Sequence, residues 1–197
     1  MRIFAAIIPP PQVVESLEEF LSSRQEADRD LRWTLPDQWH VTLAFSAQAP
    51  ERSEDDLLER LTRAGRRRRA FRMRLGGVGA FPHVARGRVL YLASVIESPW
   101  NGDEELLRLA TGARAAFAKA GCPVEGSKFT PHNTLARLGR PSDLTRWVRV
   151  LDTFAGDWFT VEEFVLLESH LGQGPRGKPR YEERGRFSIG GRAETDS

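Results

Sequence analysis

A single cysteine in 197 residues, Cys122, excludes an internal disulfide and a cysteine-rich zinc site. It fits a reducing compartment and reads as a small packing residue after a helix stop. Long apolar runs are missing too. The opening run Ile3 to Ile8 is too short for a signal-peptide core or a membrane span, and no other stretch approaches the roughly 20 apolar residues a span requires. The expectation is a soluble, cytoplasmic protein with no membrane partner. A strong charge excess is also lacking: 29 Lys and Arg against 27 Asp and Glu leave a net charge of +2. That argues against a protein that coats nucleic acid, and leaves room for an anionic ligand at one local site. Histidine is scarce, with four in all.

Two of those four stand in near-identical surroundings. Trp39-His40-Val41-Thr42-Leu43-Ala44-Phe45 and Pro131-His132-Asn133-Thr134-Leu135-Ala136-Arg137 each contain His-x-Thr-Leu-Ala inside a strand-like run. Strand residues i and i+2 share a face. His40 and Thr42 therefore point one way together, as do His132 and Thr134. The element order around them repeats. An apolar strand, Met1 to Ile8, ends at prolines; an amphipathic helix spans Gln12 to about Glu26; Asp28 to Asp30 is a polar connection; Leu31 to Leu35 is a short strand before the first motif. Ser53 starts a helix that Gly65 ends, and Phe71 to Leu75 alternates as a half-buried strand. In the second half, Arg88 to Val95 is a strand and Asp103 to Ala120 a helix stopped at Gly121. Ser142 or Asp143 caps a further helix after the second motif. Phe159 to Leu167 and Tyr181 to Ile189 are strands around a Gly/Pro-rich loop, Gly172 to Pro179.

Each half thus runs strand, helix, His-x-Thr strand, helix, strand, which reads as an internal duplication. The expected fold is α+β. It has two pseudo-symmetric lobes, approximately 1–80 and 87–170, each an antiparallel sheet with helices on its outer face and a cleft between. Residues 1–189 form one bilobal domain, elements cross over between lobes, and 190–197 is a flexible tail.

A ring nitrogen beside a hydroxyl, presented twice, suits a phosphodiester. One neutral imidazole takes a proton from attacking water and one imidazolium gives a proton to the leaving oxygen. In-line displacement sets nucleophile and leaving group on opposite sides, which two histidines from opposed lobes satisfy. Thr42 and Thr134 then bind the non-bridging oxygens. No Asp or Glu lies within either motif, so a metal-carboxylate site has no local support, and no metal or cofactor is expected. The residues alone do not say which histidine donates.

His40-Val41-Thr42-Leu43 and His132-Asn133-Thr134-Leu135 resemble the paired motifs of the 2H phosphoesterase superfamily, most closely the bacterial and archaeal RNA 2′,3′-cyclic phosphodiesterases, also called 2′-5′ RNA ligases. Arg2-Ile3-Phe4-Ala5-Ala6, Arg88-Val89-Leu90-Tyr91, Phe129 through Arg137, Leu167-Glu168-Ser169 and Tyr181 resemble further segments of that family. Ser46-Ala47 replaces its frequent Leu-Gly, and Tyr91 stands where it often has Trp. The resemblance implies metal-independent hydrolysis of a terminal 2′,3′-cyclic phosphate to a 2′-phosphate, with His40 as proton donor and His132 as acceptor. The implied partners are RNA with such ends or small cyclic nucleotides, with no obligate protein partner, as a monomer. Two other readings stay open: a 2′-5′ ligase joining cyclic phosphate to 5′-hydroxyl ends, and a non-catalytic RNA- or nucleotide-binding module.

Further candidates are weaker. On a strictly extended strand Arg137 lies on the side of Asn133 and Leu135, pointing away from His132, so support and substrate contact are equally open to it. Lys128 and Thr130 fall on the His132 face and are candidates for phosphate approach. Tyr91 is a candidate for base stacking. Asn133, at an inward position, needs hydrogen-bond partners. Arg66 to Arg69 read as a solvated helix end rather than an RNA track, His83 and His170 as surface residues, and Gly76-Gly77-x-Gly79 as a turn or bulge between lobes.

Overall fold

The computed structural model describes residues 1–27, 31–97, 102–126 and 128–190. The polar connection at 28–30 and the tail beyond 190 lie outside the described residues. In chain order the elements are β1 (Ile3–Ile7), α1 (Pro11–Ser22), β2 (Arg32–Trp33), β3 (Val41–Ser46), α2 (Glu54–Arg66), β4 (Phe71–Phe81), β5 (Gly87–Ile96), α3 (Gly102–Lys119), β6 (His132–Ser142), α4 (Thr145–Leu151), β7 (Phe159–Val161), β8 (Glu163–His170) and β9 (Arg180–Ser188).

The strands form one antiparallel sheet of order β7-β4-β5-β6-β3-β1-β8-β9, with β2 pairing β6. The two halves expected from the sequence are the two ends of this sheet, joined where β3 meets β6. Their membership cuts across the approximate ranges 1–80 and 87–170. β4 lies with β5 and β6, while β8 and β9 return to flank β1. Phe159 to Leu167, read as one strand, is two. Phe159–Val161 pairs with β4, and Glu163 onwards pairs with β1 and β9. Only Glu162 separates them, although β7 ends the strand order and β8 stands next to its other end. The sheet must therefore curl strongly to bring those ends together, an accumulation of twist along the strand order.

One face of the curl carries the main core. Ile3, Ala5, Ile7, Val41, Leu43, Leu90, Leu92 and Leu135 are buried there against Val13 and Leu17 of α1, Leu57 and Leu61 of α2, Ala113 and Phe117 of α3, and Leu151 of α4. Each fully buried aliphatic or aromatic side chain contributes about 1.5–3 kcal/mol. That burial fixes the register of the motif strands. Sliding β3 by one residue would move Val41 and Leu43 into the cleft and drive His40 and Thr42 into the core.

Two local expectations are corrected and one is refined. Gly65 does not stop α2, which continues to Arg66. It is instead where the helix touches the sheet, since a Cβ there would sit 2.4 Å from the Ser188 carbonyl oxygen. Ser53 does stand at the N-cap of α2, as expected, but its hydroxyl makes no capping hydrogen bond. The Gly76-Gly77 pair is a bulge within β4 rather than a connection between lobes, because the strand runs on to Phe81 with its register shifted between Leu75 and Val78.

Candidate functional site

β3 and β6 are adjacent, and their pairing is Val41↔Asn133, the middle residues of the two motifs. Both are fully buried on the core side. Strand alternation then turns His40, Thr42, His132 and Thr134 to the opposite, concave face, where all four are half-buried. The antiparallel sense sets His40 level with Thr134 and Thr42 level with His132. The duplicated motifs are thus related by a local twofold axis at the Val41–Asn133 pair.

The rings are held alike. His40 Nδ1 donates to the Gln38 carbonyl at 2.7 Å, and His132 Nδ1 donates to the Thr130 carbonyl at 2.7 Å. A carbonyl only accepts, so Nδ1 carries the proton in both rings and Nε2 is left for a ligand in the cleft. This is the part Thr130 plays: its main chain orients His132. Lys128 is exposed, and among the described residues no hydrogen bond joins it to either histidine.

The surroundings then diverge. His40 packs against Phe4 (centroids 4.7 Å apart) and the edge of Tyr181 (5.6 Å). His132 packs against Phe81 (4.9 Å) and Tyr91 (5.3 Å), which stack on each other at 4.4 Å. Tyr91 lies so close over Gly79 that a Cβ there would meet the phenol ring at 2.4 Å, so the third glycine of the run makes room for the aromatic pair. The chain's two tyrosines are thereby assigned one to each histidine. Burial lowers the pKa of both imidazoles. For His40, desolvation outweighs the Gln38 hydrogen bond, and the charges of His132 and Arg137 add to it, bringing the value from 6.5 to about 4. For His132, desolvation again leads, with Arg137 contributing.

Arg137 corrects the strictly extended reading, which turned it away from His132. Between Leu90↔Ala136 and Tyr91↔Thr134 the register skips Leu135, a one-residue bulge that reverses alternation beyond it. Arg137 therefore joins Thr134 on the cleft face, exposed, and its charge is felt by both histidines. β3 carries the same defect. Between Ala5↔Ala44 and Ala6↔Thr42 the register skips Leu43, and Phe45 turns to the cleft. The sequence signal was the shared Leu-Ala after each Thr; nothing in it spelled out a bulge.

Gln38 was also missed. It is buried, and its amide donates to the Pro179 carbonyl at 2.5 Å while its own carbonyl holds His40. Lys178 of the same loop donates to the Trp33 carbonyl. The Gly/Pro-rich segment 172–179 thus clamps the turn before His40, and no such clamp stands behind Thr130 among the described residues. Asn133 is buried with neither amide atom hydrogen-bonded among the described residues.

The remaining candidates lie elsewhere. His83 is exposed. His170 is half-buried and paired with Glu182 at 3.2 Å. Cys122 is buried in the core, as expected of a packing residue. Arg67 to Arg69 line a cavity of about 770 Å³ with Glu97, Glu104, Glu105 and Arg108. That cavity adjoins Phe71, eight residues from Gly79 along β4, about 25 Å on an extended strand. No helix among the described residues is long and apolar enough to cross a membrane.

Comparisons with known proteins show the family and the fold. The profile of the 2′-5′ RNA ligase superfamily matches residues 9–173. An RNA 2′,3′-cyclic phosphodiesterase of Thermus thermophilus is 32% identical over 197 residues, covering 97% of this chain and 91% of the relative. A crystal structure from Thermus thermophilus matches with TM-score 0.75 at 31% identity, over 98% of this chain and 100% of that one. E. coli LigT complexed with 3′-AMP matches with TM-score 0.71 at 26% identity, over 95% of this chain and 97% of that one.

Proposed function

The chain belongs to the 2′-5′ RNA ligase superfamily, and from that premise we propose that it is a phosphodiesterase opening 2′,3′-cyclic phosphate ends of RNA to 2′-phosphates. The observation that carries the reading is the matched pair of Nδ1–carbonyl bonds flanking the Val41–Asn133 pairing. Two imidazoles present free Nε2 atoms to one cleft, each beside a threonine hydroxyl.

In this reaction His132 Nε2 takes a proton from water as the water oxygen bonds to phosphorus. The bond from phosphorus to O3′ breaks, and His40 Nε2–H delivers its proton to that oxygen. The product carries a 2′-phosphate and a 3′-hydroxyl, with His132 protonated and His40 neutral until solvent resets them. Thr42 and Thr134 donate to the non-bridging oxygens, and Arg137 balances the charge that accumulates there. The donor and acceptor roles follow the family resemblance, because the geometry of the two rings is symmetric. The lowered pKa values fit this cycle through the substrate. An empty cleft keeps both rings neutral, and the phosphate anion favours the imidazolium that donates.

Product analysis of an oligonucleotide with a 2′,3′-cyclic end tests the proposal. Accumulation of 2′-phosphate is expected, and 3′-phosphate or no product would overturn it. Adding RNA with 5′-hydroxyl ends separates hydrolysis from the ligase reading by whether joined product dominates. Binding without turnover of any cyclic phosphate identifies the non-catalytic reading.

A further inference from the structure

We infer that Arg2, laid over Phe45, forms a second anion subsite that takes the phosphodiester immediately upstream of the cyclic end, so that the favoured substrate is a chain end rather than a free cyclic nucleotide. This rests on the hydrolytic reading of the same cleft.

The argument starts from the two bulges. Each motif strand bulges at the Leu that follows its Thr, and each bulge turns one side chain into the cleft at pseudo-equivalent positions: Arg137 on β6 and Phe45 on β3. By sequence these do not match, a cation against a phenyl ring. The structure supplies the missing charge. The Arg2 guanidinium lies 4.5 Å from the Phe45 ring centroid, held by the ring's negative face. Arg2 precedes β1 and shares the cleft face with Phe4 and Ala6, whereas Ile3, Ala5 and Ile7 enter the core. Each half of the cleft thus ends in a guanidinium.

The two cations are not equivalent with respect to the histidines. Arg137 is felt by both imidazoles and by Tyr181; Arg2 is felt at Tyr181 and at neither imidazole. Tyr181 is the group both charges reach, its ring against Phe4 at 5.0 Å and His40 at 5.6 Å. Asp37 is the carboxylate whose charge reaches that phenol. Among the described residues neither guanidinium makes an ion pair, whereas Arg60, Arg72, Arg108, Arg184 and Arg186 each have a carboxylate partner. One cyclic phosphate bears a single charge, and two histidines, two threonines and Arg137 already face it. Arg2, displaced toward Tyr181, faces the next phosphate of a chain. A guanidinium preset on an aromatic ring loses little freedom on binding it.

Kinetics on two substrates tests this: a 2′,3′-cyclic mononucleotide, and a dinucleotide ending in a 2′,3′-cyclic phosphate. Wild type is expected to prefer the dinucleotide. Arg2→Ala should lower that preference about tenfold, mainly through KM, and flatten the salt dependence of the dinucleotide reaction by about 0.7 in log–log slope, as for one lost single-strand phosphate contact. A methylphosphonate at the internal linkage should cost wild type the same factor and cost Arg2→Ala little. Arg2→Lys should recover part of the loss, and thermal melting checks that the variants fold. Equal losses on both substrates, or a methylphosphonate penalty undiminished in Arg2→Ala, would overturn the subsite. If wild type hydrolyses neither substrate, the hydrolytic reading fails. Anisotropy with a fluorescent dinucleotide 2′-phosphate then decides the subsite: tighter binding by wild type than by Arg2→Ala supports it, and equal binding overturns it.

Discussion

The His40 strand and the His132 strand are near copies in sequence, in ring tethering and in the bulge at the Leu after each Thr, yet they are backed differently. His40 sits on Phe4 and Tyr181, and its orienting carbonyl belongs to Gln38, which the loop at Pro179 clamps. His132 sits on the stacked Phe81–Tyr91 pair, and its orienting carbonyl belongs to Thr130, which has no such clamp among the described residues. The shared parts are those the proposed phosphate site uses. The unshared parts shape the electrostatics: burial lowers both rings, His40 to about 4, and the His132 charge acts on His40 as well. Symmetry builds the cleft, and what packs behind each ring gives the two equivalent groups different surroundings.

The sharpest way to break the comparison is to remove one ring at a time. His40→Ala or His132→Ala should each lower kcat on a 2′,3′-cyclic phosphate by about a thousandfold, with the double variant little worse, because the two act as one unit. A phosphodiester with a nitrophenolate leaving group needs no proton donor. It should restore turnover to His40→Ala and not to His132→Ala, and the reverse pattern would exchange the assigned roles.

Arg137 tests whether the bulge matters. Arg137→Ala should lower kcat by about a hundredfold, as loss of a group facing developing charge does, while Arg137→Lys retains part of the rate. An unchanged kcat would show that the reversal after Leu135 carries no chemistry.

Gln38 tests the asymmetry directly. Gln38→Leu leaves the His40 tether acceptor in place but frees its clamp. A fall of about tenfold in kcat is expected, with the arm of the pH profile belonging to His40 displaced and KM little changed. A uniform KM effect would instead mark a structural role.

Protonation gives the smaller effects. Both free-enzyme imidazoles are held below 6.5, so the optimum of kcat/KM should lie on the acid side of that value. The optimum of kcat should lie higher, since the bound anion favours the imidazolium. Stability follows the same sign. Above pH 6.5 His40 is neutral whether folded or unfolded and contributes nothing. From 6.5 down to about 4 the unfolded chain takes the proton first, and stability falls. The loss is at most about 3 kcal/mol, reduced because the ring is only half-buried. Denaturant titrations of wild type and His40→Gln across that range should show the variant losing less.

Much was legible in the sequence because it depends on local periodicity. Alternation put His and Thr on one face of each motif strand. Apolar spacing located α1 and α3, and matched spacing revealed the duplication. What the sequence withheld depends on partners distant along the chain. Arg137 was turned the wrong way because a bulge is a mismatch between two strands, and one strand's pattern cannot record how many residues its neighbour places opposite it. Gly65 looked like a helix stop because its small size is also what a close helix–sheet contact requires. Phe159 to Leu167 looked like one strand because both pieces are apolar, although each pairs at a different end of the curl. Gln38 carries no motif at all; its importance comes from a carbonyl 141 residues away. By itself the sequence determined the paired His-x-Thr motifs, the face each histidine shares with its threonine and the α+β class, because these follow from residue type and a period of two. Only the tertiary structure decided that the motifs meet through Val41 and Asn133, that both strands bulge, and that Arg2 and Arg137 end at the two sides of one cleft, because register and curl are set by the whole sheet closing on its core.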